Sequence, residues 1–130
     1  MTTALAEDDG IREVDYATIM RRFRGAFREE HLPTKPIRSA RWWASEYACG
    51  ALVPYGKSGQ RIKGTVTLPE WRGFGHGAAI IDRLLLEAKA LGATEVEVFA
   101  RHPGLFARLG FEVRRTTTWG TSVMRAQLDV

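Results

Sequence analysis

The residues best able to do chemistry are Arg72-Gly73-Phe74-Gly75-His76-Gly77, three alternating glycines behind an arginine and ahead of a long apolar-faced stretch. A strand pattern ends at Leu68, Pro69 withdraws a backbone donor, and helical periodicity sets in by Gly77. The first turn of a helix has N–H groups with no internal partner, and the helix dipole adds partial positive charge there. Glycines let successive N–H groups curl around one point with no Cβ in the way. Such a turn suits a diphosphate, and Arg72 adds a full charge beside it. A dinucleotide fingerprint needs G-x-G-x-x-G in an early βαβ unit, and a P-loop needs a lysine. Here the spacing is G-x-G-x-G, past mid-chain, and the lysine is missing. Tight packing of a strand on a helix is the other use of such a loop.

The elements that must position this turn can be read from periodicity. Ile11 to Val14 alternates as a short strand, and Asp15 caps a helix whose stripe is Tyr16, Ile19, Met20, Phe23 and Phe27. Two prolines make His31 to Ser39 a loop. Strands are expected over Trp42–Tyr47, Ala51–Val53 and Arg61–Leu68. In the third of these, Ile62, Gly64, Val66 and Leu68 share one side, against Arg61, Lys63, Thr65 and Thr67. Gly77 to Leu91 is a helix with the face Ile80, Ile81, Leu84, Leu85, Ala88 and Leu91, stopped by Gly92. Glu95–Phe99 is a strand, Pro103 opens a short helix that Gly110 closes, and Phe111–Thr118 pairs with Ser122–Leu128. The order β-α-β-β-β-α-β-α-β-β is a mixed α/β sheet flanked by helices. Residues 1–10 read as a flexible tail and 11–130 as one domain.

Arg72-x-x-Gly75-x-Gly77, between a strand with Pro69 and a long helix, resembles the cofactor signature of the GNAT superfamily of N-acetyltransferases. Gly104-Leu105-Phe106-Ala107-Arg108-Leu109-Gly110-Phe111-Glu112 is similar to that family's ending of a short helix followed by Gly-Phe-Glu. Together the two motifs cover roughly Arg61 to Val113. The resemblance implies a mostly antiparallel sheet whose central strands splay into a V-shaped slot, and transfer of an acetyl group from acetyl-CoA, or of another acyl group from its CoA ester, to an amine. It implies that main chain of Val66, Thr67 and Leu68 pairs with the pantetheine arm and that Arg72, Gly73, Phe74, Gly75, His76 and Gly77 hold the pyrophosphate. Arg108 approaches the cofactor from the short helix. The tyrosine that many members use to protonate the departing thiolate is replaced by Phe106, which has no proton to give.

Acyl transfer to an amine needs a neutral amine, an in-line acyl group and a route for one proton; proximity can supply much of the rate. His102, at the end of the Glu95–Phe99 strand, is the best base, and it could equally cap the helix that Pro103 begins. Glu97 and Glu46 could act through water, although strand alternation would turn one or both to solvent, and Tyr47 or Tyr55 could serve as the acid. Cys49 suits a small core position better than a nucleophile. Of Trp42 and Trp43, one is expected in the core and the other exposed or in the cleft, because neighbours on a strand face opposite ways.

Composition sets the outer limits. Forty-five per cent hydrophobic and 26% charged residues describe a globular chain, and one cysteine excludes an internal disulfide and disfavours a zinc cluster, so no metal is expected. No apolar run reaches the roughly 18 residues of a membrane span, and Met1 to Gly10 lacks the features of an export signal. The expectation is a soluble cytoplasmic protein. A net charge of +4, concentrated in Arg21–Arg28, Lys35–Arg41 and Arg114-Arg115, favours anionic partners. The acceptor is therefore a small-molecule or macromolecular amine, with nucleic acid as an alternative substrate, a non-catalytic acyl-CoA-binding module as a third reading, and a homodimer allowed.

Overall fold

The computed structural model describes residues 9–128. The tail expected over residues 1–10 thus lies outside the described residues up to residue 8. Asp9 accepts a hydrogen bond from the Ile11 amide at 3.0 Å and pairs with Arg83 at 3.3 Å. Seven strands form one sheet: β1 (Arg12–Val14), β2 (Arg41–Ala44), β3 (Ala48–Tyr55), β4 (Gly59–Thr67), β5 (Glu95–Ala100), β6 (Glu112–Thr116) and β7 (Ser122–Gln127). Three helices flank it: α1 (Tyr16–Glu29), α2 (His76–Ala90) and α3 (Pro103–Arg108), with a 3-10 turn at Pro69–Trp71. The spatial order is β1-β2-β3-β4-β5-β7-β6. Every pair is antiparallel except β4–β5.

The start of α1 follows the sequence, since Asp15 Oδ1 accepts from the Thr18 amide at 2.8 Å, as an N-cap should. The two strands expected over Trp42–Tyr47 and Ala51–Val53 shift. The chain leaves β2 at Ala44 because Ser45 makes a local turn, its hydroxyl accepting from the Tyr47 and Ala48 amides at 3.1 Å each.

Side chains divide between two apolar layers. Under α2 and α3 lie Trp43, Leu52, Ile62, Val96, Val98, Ala100 and Met124. Under α1 lie Trp42, Ala44, Cys49, Ala51 and Val66. Trp42 and Trp43 do face opposite ways, yet both are buried, because helices cover both sides of the sheet here. Neither is therefore available to a substrate.

The third strand departs most from simple alternation. Ile62 and Val66 fall in different layers, although both were expected on one side. The cause is a bulge: the β3–β4 register shifts by one between Cys49↔Val66 and Ala51↔Lys63, leaving Gly50 opposite both Gly64 and Thr65. Gly64 takes φ +64°, which favours glycine, and a Cβ there would lie 2.5 Å from the Trp42 ring.

Candidate active site

The bulge coincides with the parting of β4 and β5. The two strands pair in parallel from Gly59↔Glu95 to Ile62↔Val98 and then stop. Beyond that point β4 keeps β3 as its neighbour and β5 keeps β7. The result is a slot through the sheet, a cleft of about 360 Å³ lined by Lys63, Gly64 and Thr65 on one edge and Phe99 to His102 on the other. Leu105 and Phe106 of α3 close it on one face, and Phe27, Leu32 and Ile37 close it on the other.

Three residues of the β4 edge, Val66, Thr67 and Leu68, were expected to offer main chain to a ligand. The Leu68 amide donates to the Tyr47 carbonyl at 2.8 Å, and the Leu68 carbonyl accepts from the Trp71 amide at 2.9 Å. Bonds alternate along an antiparallel ladder, so Val66 turns its polar groups, and Leu68 its amide, to the β3 side. Thr67 turns its own amide and carbonyl to the slot.

Past the end of β4 the chain makes the glycine turn. Gly73 and Gly75 have φ of +87° and +86°, and a Cβ built on either would meet nothing within 4 Å. Among the described residues the amides of Gly73 through Ala78 have no backbone partner; the first bond of α2 runs from the Ala79 amide to the Gly75 carbonyl at 3.0 Å. Unpaired N–H groups around open space, at the start of a 15-residue helix, fit a diphosphate. Gly77 has a different job: its Cβ would sit 3.2 Å from Thr67 Oγ1, so glycine lets α2 approach β4.

The charged and aromatic side chains of this turn are already engaged. Arg72 reaches back to Glu29 at 2.9 Å and Glu30 at 3.6 Å, at the end of α1. His76 stacks on Tyr47, ring centres 4.2 Å apart, and Trp71 packs against Tyr47 at 4.6 Å. Tyr47 therefore belongs to the phosphate end and does not line the cleft that holds His102. Phe74 is 68% exposed at the tip.

His102 stands at the N-cap position of α3, but its imidazole makes no capping hydrogen bond and lines the cleft. Glu97, a candidate to act through water, is only 2% exposed. Two arginines neutralise it, Arg61 at 2.6 Å and Arg125 at 3.1 Å, and Arg61 in turn lies over the Tyr55 and Phe99 rings. Such a carboxylate braces the sheet and has no free lone pair aimed at a substrate. Phe106 is buried edge-to-face against Phe111, 5.4 Å between ring centres. Arg108 is exposed on the last turn of α3. Burial pushes the Cys49 thiol up to about 12, which makes it inert as a nucleophile. Two residues at the cleft carried no signal in the sequence reading, Lys63 and Arg101; only the parting of the strands brings them to one mouth.

No family model matches the chain, and a search of curated proteins finds no relative. Solved structures do match in fold. Rv2747 from Mycobacterium tuberculosis, in complex with CoA, is 20% identical with a TM-score of 0.72, over 92% of this chain and 99% of that one. The IAA acetyltransferase from Bacillus cereus is 13% identical with a TM-score of 0.74, over 91% and 98%. The N-acetylglutamate synthase from Neisseria gonorrhoeae, complexed with coenzyme A and L-arginine, is 14% identical with a TM-score of 0.73. This match takes in 92% of the present chain and 33% of the synthase. The chain has the GNAT fold, a mostly antiparallel seven-stranded sheet parted between β4 and β5. Among the described residues no helix is long and apolar enough to cross a membrane.

Proposed function

We propose that this protein moves an acetyl or other short acyl group from its CoA ester to a small primary amine, by direct attack with donor and acceptor bound together. One observation carries the reading: β4 and β5 part beyond Ile62↔Val98 into a cleft lined by His102, and past that cleft β4 leads on to the open glycine turn. When bound, the CoA ester would supply the acyl group as a thioester, whose thiol pKa near 8.5 makes it a workable leaving group. The Gly73–Gly77 amides would hold the diphosphate, Thr67 main chain would lie along the donor arm, and Arg108 and Arg72 would add charge. His102 takes the proton that the amine must lose, and the slot orients the two reactants. Phe106 cannot protonate the leaving thiolate, so that thiolate takes its proton from solvent.

A cleft of about 360 Å³ is of small-molecule size. Solved structures of this fold include an aminoglycoside 6'-acetyltransferase, which supports a small-molecule acceptor. The test is calorimetric titration with acetyl-CoA, followed by mass spectrometry of a pooled set of amines that also contains single-stranded DNA. Binding followed by acetylation of a small amine supports the proposal. A folded protein that ignores acetyl-CoA, or that acetylates the DNA alone, overturns it.

A further inference from the structure

The two halves of the cleft differ in chemistry. On the α2 and α3 side the lining is apolar, from Ile62, Val98, Ala100, Leu105 and Phe106. On the α1 side an apolar wall of Phe27, Leu32 and Ile37 faces a rim that carries Lys63 and Arg101. Lys63 is exposed and forms no ion pair among the described residues. Arg101 donates its hydrogen bond to the neutral Glu30 carbonyl and likewise forms no ion pair among the described residues. Arg61 is held by Glu97, and the Glu30 carboxylate, which also lines the cleft, shares Arg72 with Glu29, so one acid charge is left over at the end of α1.

Lys63 sits one residue before the bulge on β4, and Arg101 sits one residue past the end of β5. They therefore flank the mouth of the slot, on the strands whose parting creates it. Two cations against one left-over carboxylate, over low-dielectric walls, leave the potential in the cleft positive. A cationic acceptor such as a polyamine is disfavoured there, and a carboxylate gains charge-assisted hydrogen bonds. We infer that the acceptor is an amine carrying a carboxylate a few bonds from the reactive nitrogen, an amino-acid-like molecule. Lys63 and Arg101 take the carboxylate, and the Phe27–Leu32–Ile37 wall takes its apolar part. The inference rests on the acyltransferase reading and names the acceptor class within it.

The experiment compares matched pools of common amino acids and their carboxamides, with acetyl-CoA as donor, in the wild type and in Lys63→Gln and Arg101→Gln. In the wild type the acids should outpace the amides by at least about tenfold in kcat/KM. Each variant should lose most of that preference through KM, with acetyl-CoA affinity unchanged. Equilibrium dialysis with the corresponding N-acetylated acids and amides reads the same preference without turnover. A preference in dialysis with no turnover sustains the inference and fails the acyltransferase reading. Equal handling of acids and amides, or a preference intact in both variants, overturns the inference alone.

Discussion

Arg72, the arginine of the glycine turn, is held 2.9 Å from Glu29 at the far end of α1. The pair connects the anion cradle to the helix that walls the acceptor side of the cleft. An incoming diphosphate must share Arg72 with Glu29 and Glu30 or draw it away. The pair is exposed, and such pairs are worth up to about 1 kcal/mol. Neutralising both acids by Glu29→Gln and Glu30→Gln should therefore tighten acetyl-CoA binding by about two- to fivefold at low salt. Arg72→Gln should weaken it. Calorimetry at two ionic strengths checks both, and weaker binding in the double variant would mean that the acids hold Arg72 in place for the phosphates.

Gly75 and Gly92 allow a controlled test of the cradle. Their φ values are +86° and +85°, and an added Cβ meets nothing within 4 Å at either. Gly75→Ala and Gly92→Ala should thus each cost about 1–2 kcal/mol of stability through backbone strain alone. Only Gly75 lies where phosphate approaches, so only Gly75→Ala should lose acetyl-CoA affinity, by about tenfold or more. Equal affinity loss in the two variants would trace the effect to stability.

The sequence made the helices and the glycine turn legible because their signals are local. The Asp15 cap, the apolar stripes of α1 and α2 and the glycine spacing each depend on residues within a few positions of one another. Ile62 and Val66 were misassigned to one face because a bulge is set by register against β3, which periodicity along a single strand cannot report. The setting of Glu97 was hidden for a similar reason: its partners Arg61 and Arg125 lie on neighbouring strands, and alternation along one strand does not show which side a carboxylate takes or what meets it. Tyr47 was drawn towards the catalytic end because its strand was read through to residue 47, whereas the Ser45 turn carries it to His76.

The buried Glu97 separates bracing from catalysis. Glu97→Gln leaves Arg61 without its countercharge and Arg125 with Glu95 alone at 3.8 Å, a change expected to lower stability. Thermal denaturation should show that loss, and residual activity should keep the wild-type pH profile. A stable variant with a changed acid limb would restore Glu97 as a base.

Cys49 gives a pH signature of stability. Burial raises its thiol from 9.0 to about 12, so the folded state favours the neutral form. Its contribution is complete below the unfolded pKa and is lost as pH climbs from about 9 towards 12, at about 1.4 kcal/mol per pH unit. Urea denaturation between pH 8 and pH 10.5 should therefore show a steeper decline for wild type than for Cys49→Ala. Parallel slopes would contradict the burial of this thiol.

The last expectation concerns His102. Its imidazole lines the cleft and makes no capping bond, so removing it should leave α3 intact. His102→Ala should lower kcat by about 10²-fold or more while acetyl-CoA affinity and melting temperature stay near wild type. As the base, His102 must be neutral to accept the amine's proton, so wild-type activity should fall on the acid side of the pH–rate profile. That acid limb should flatten in the variant. His102→Gln keeps a polar side chain without a titrating group and should behave like the alanine variant. A loss of stability in His102→Ala with the pH profile unchanged would assign His102 to holding α3 and leave the amine to be deprotonated by water alone.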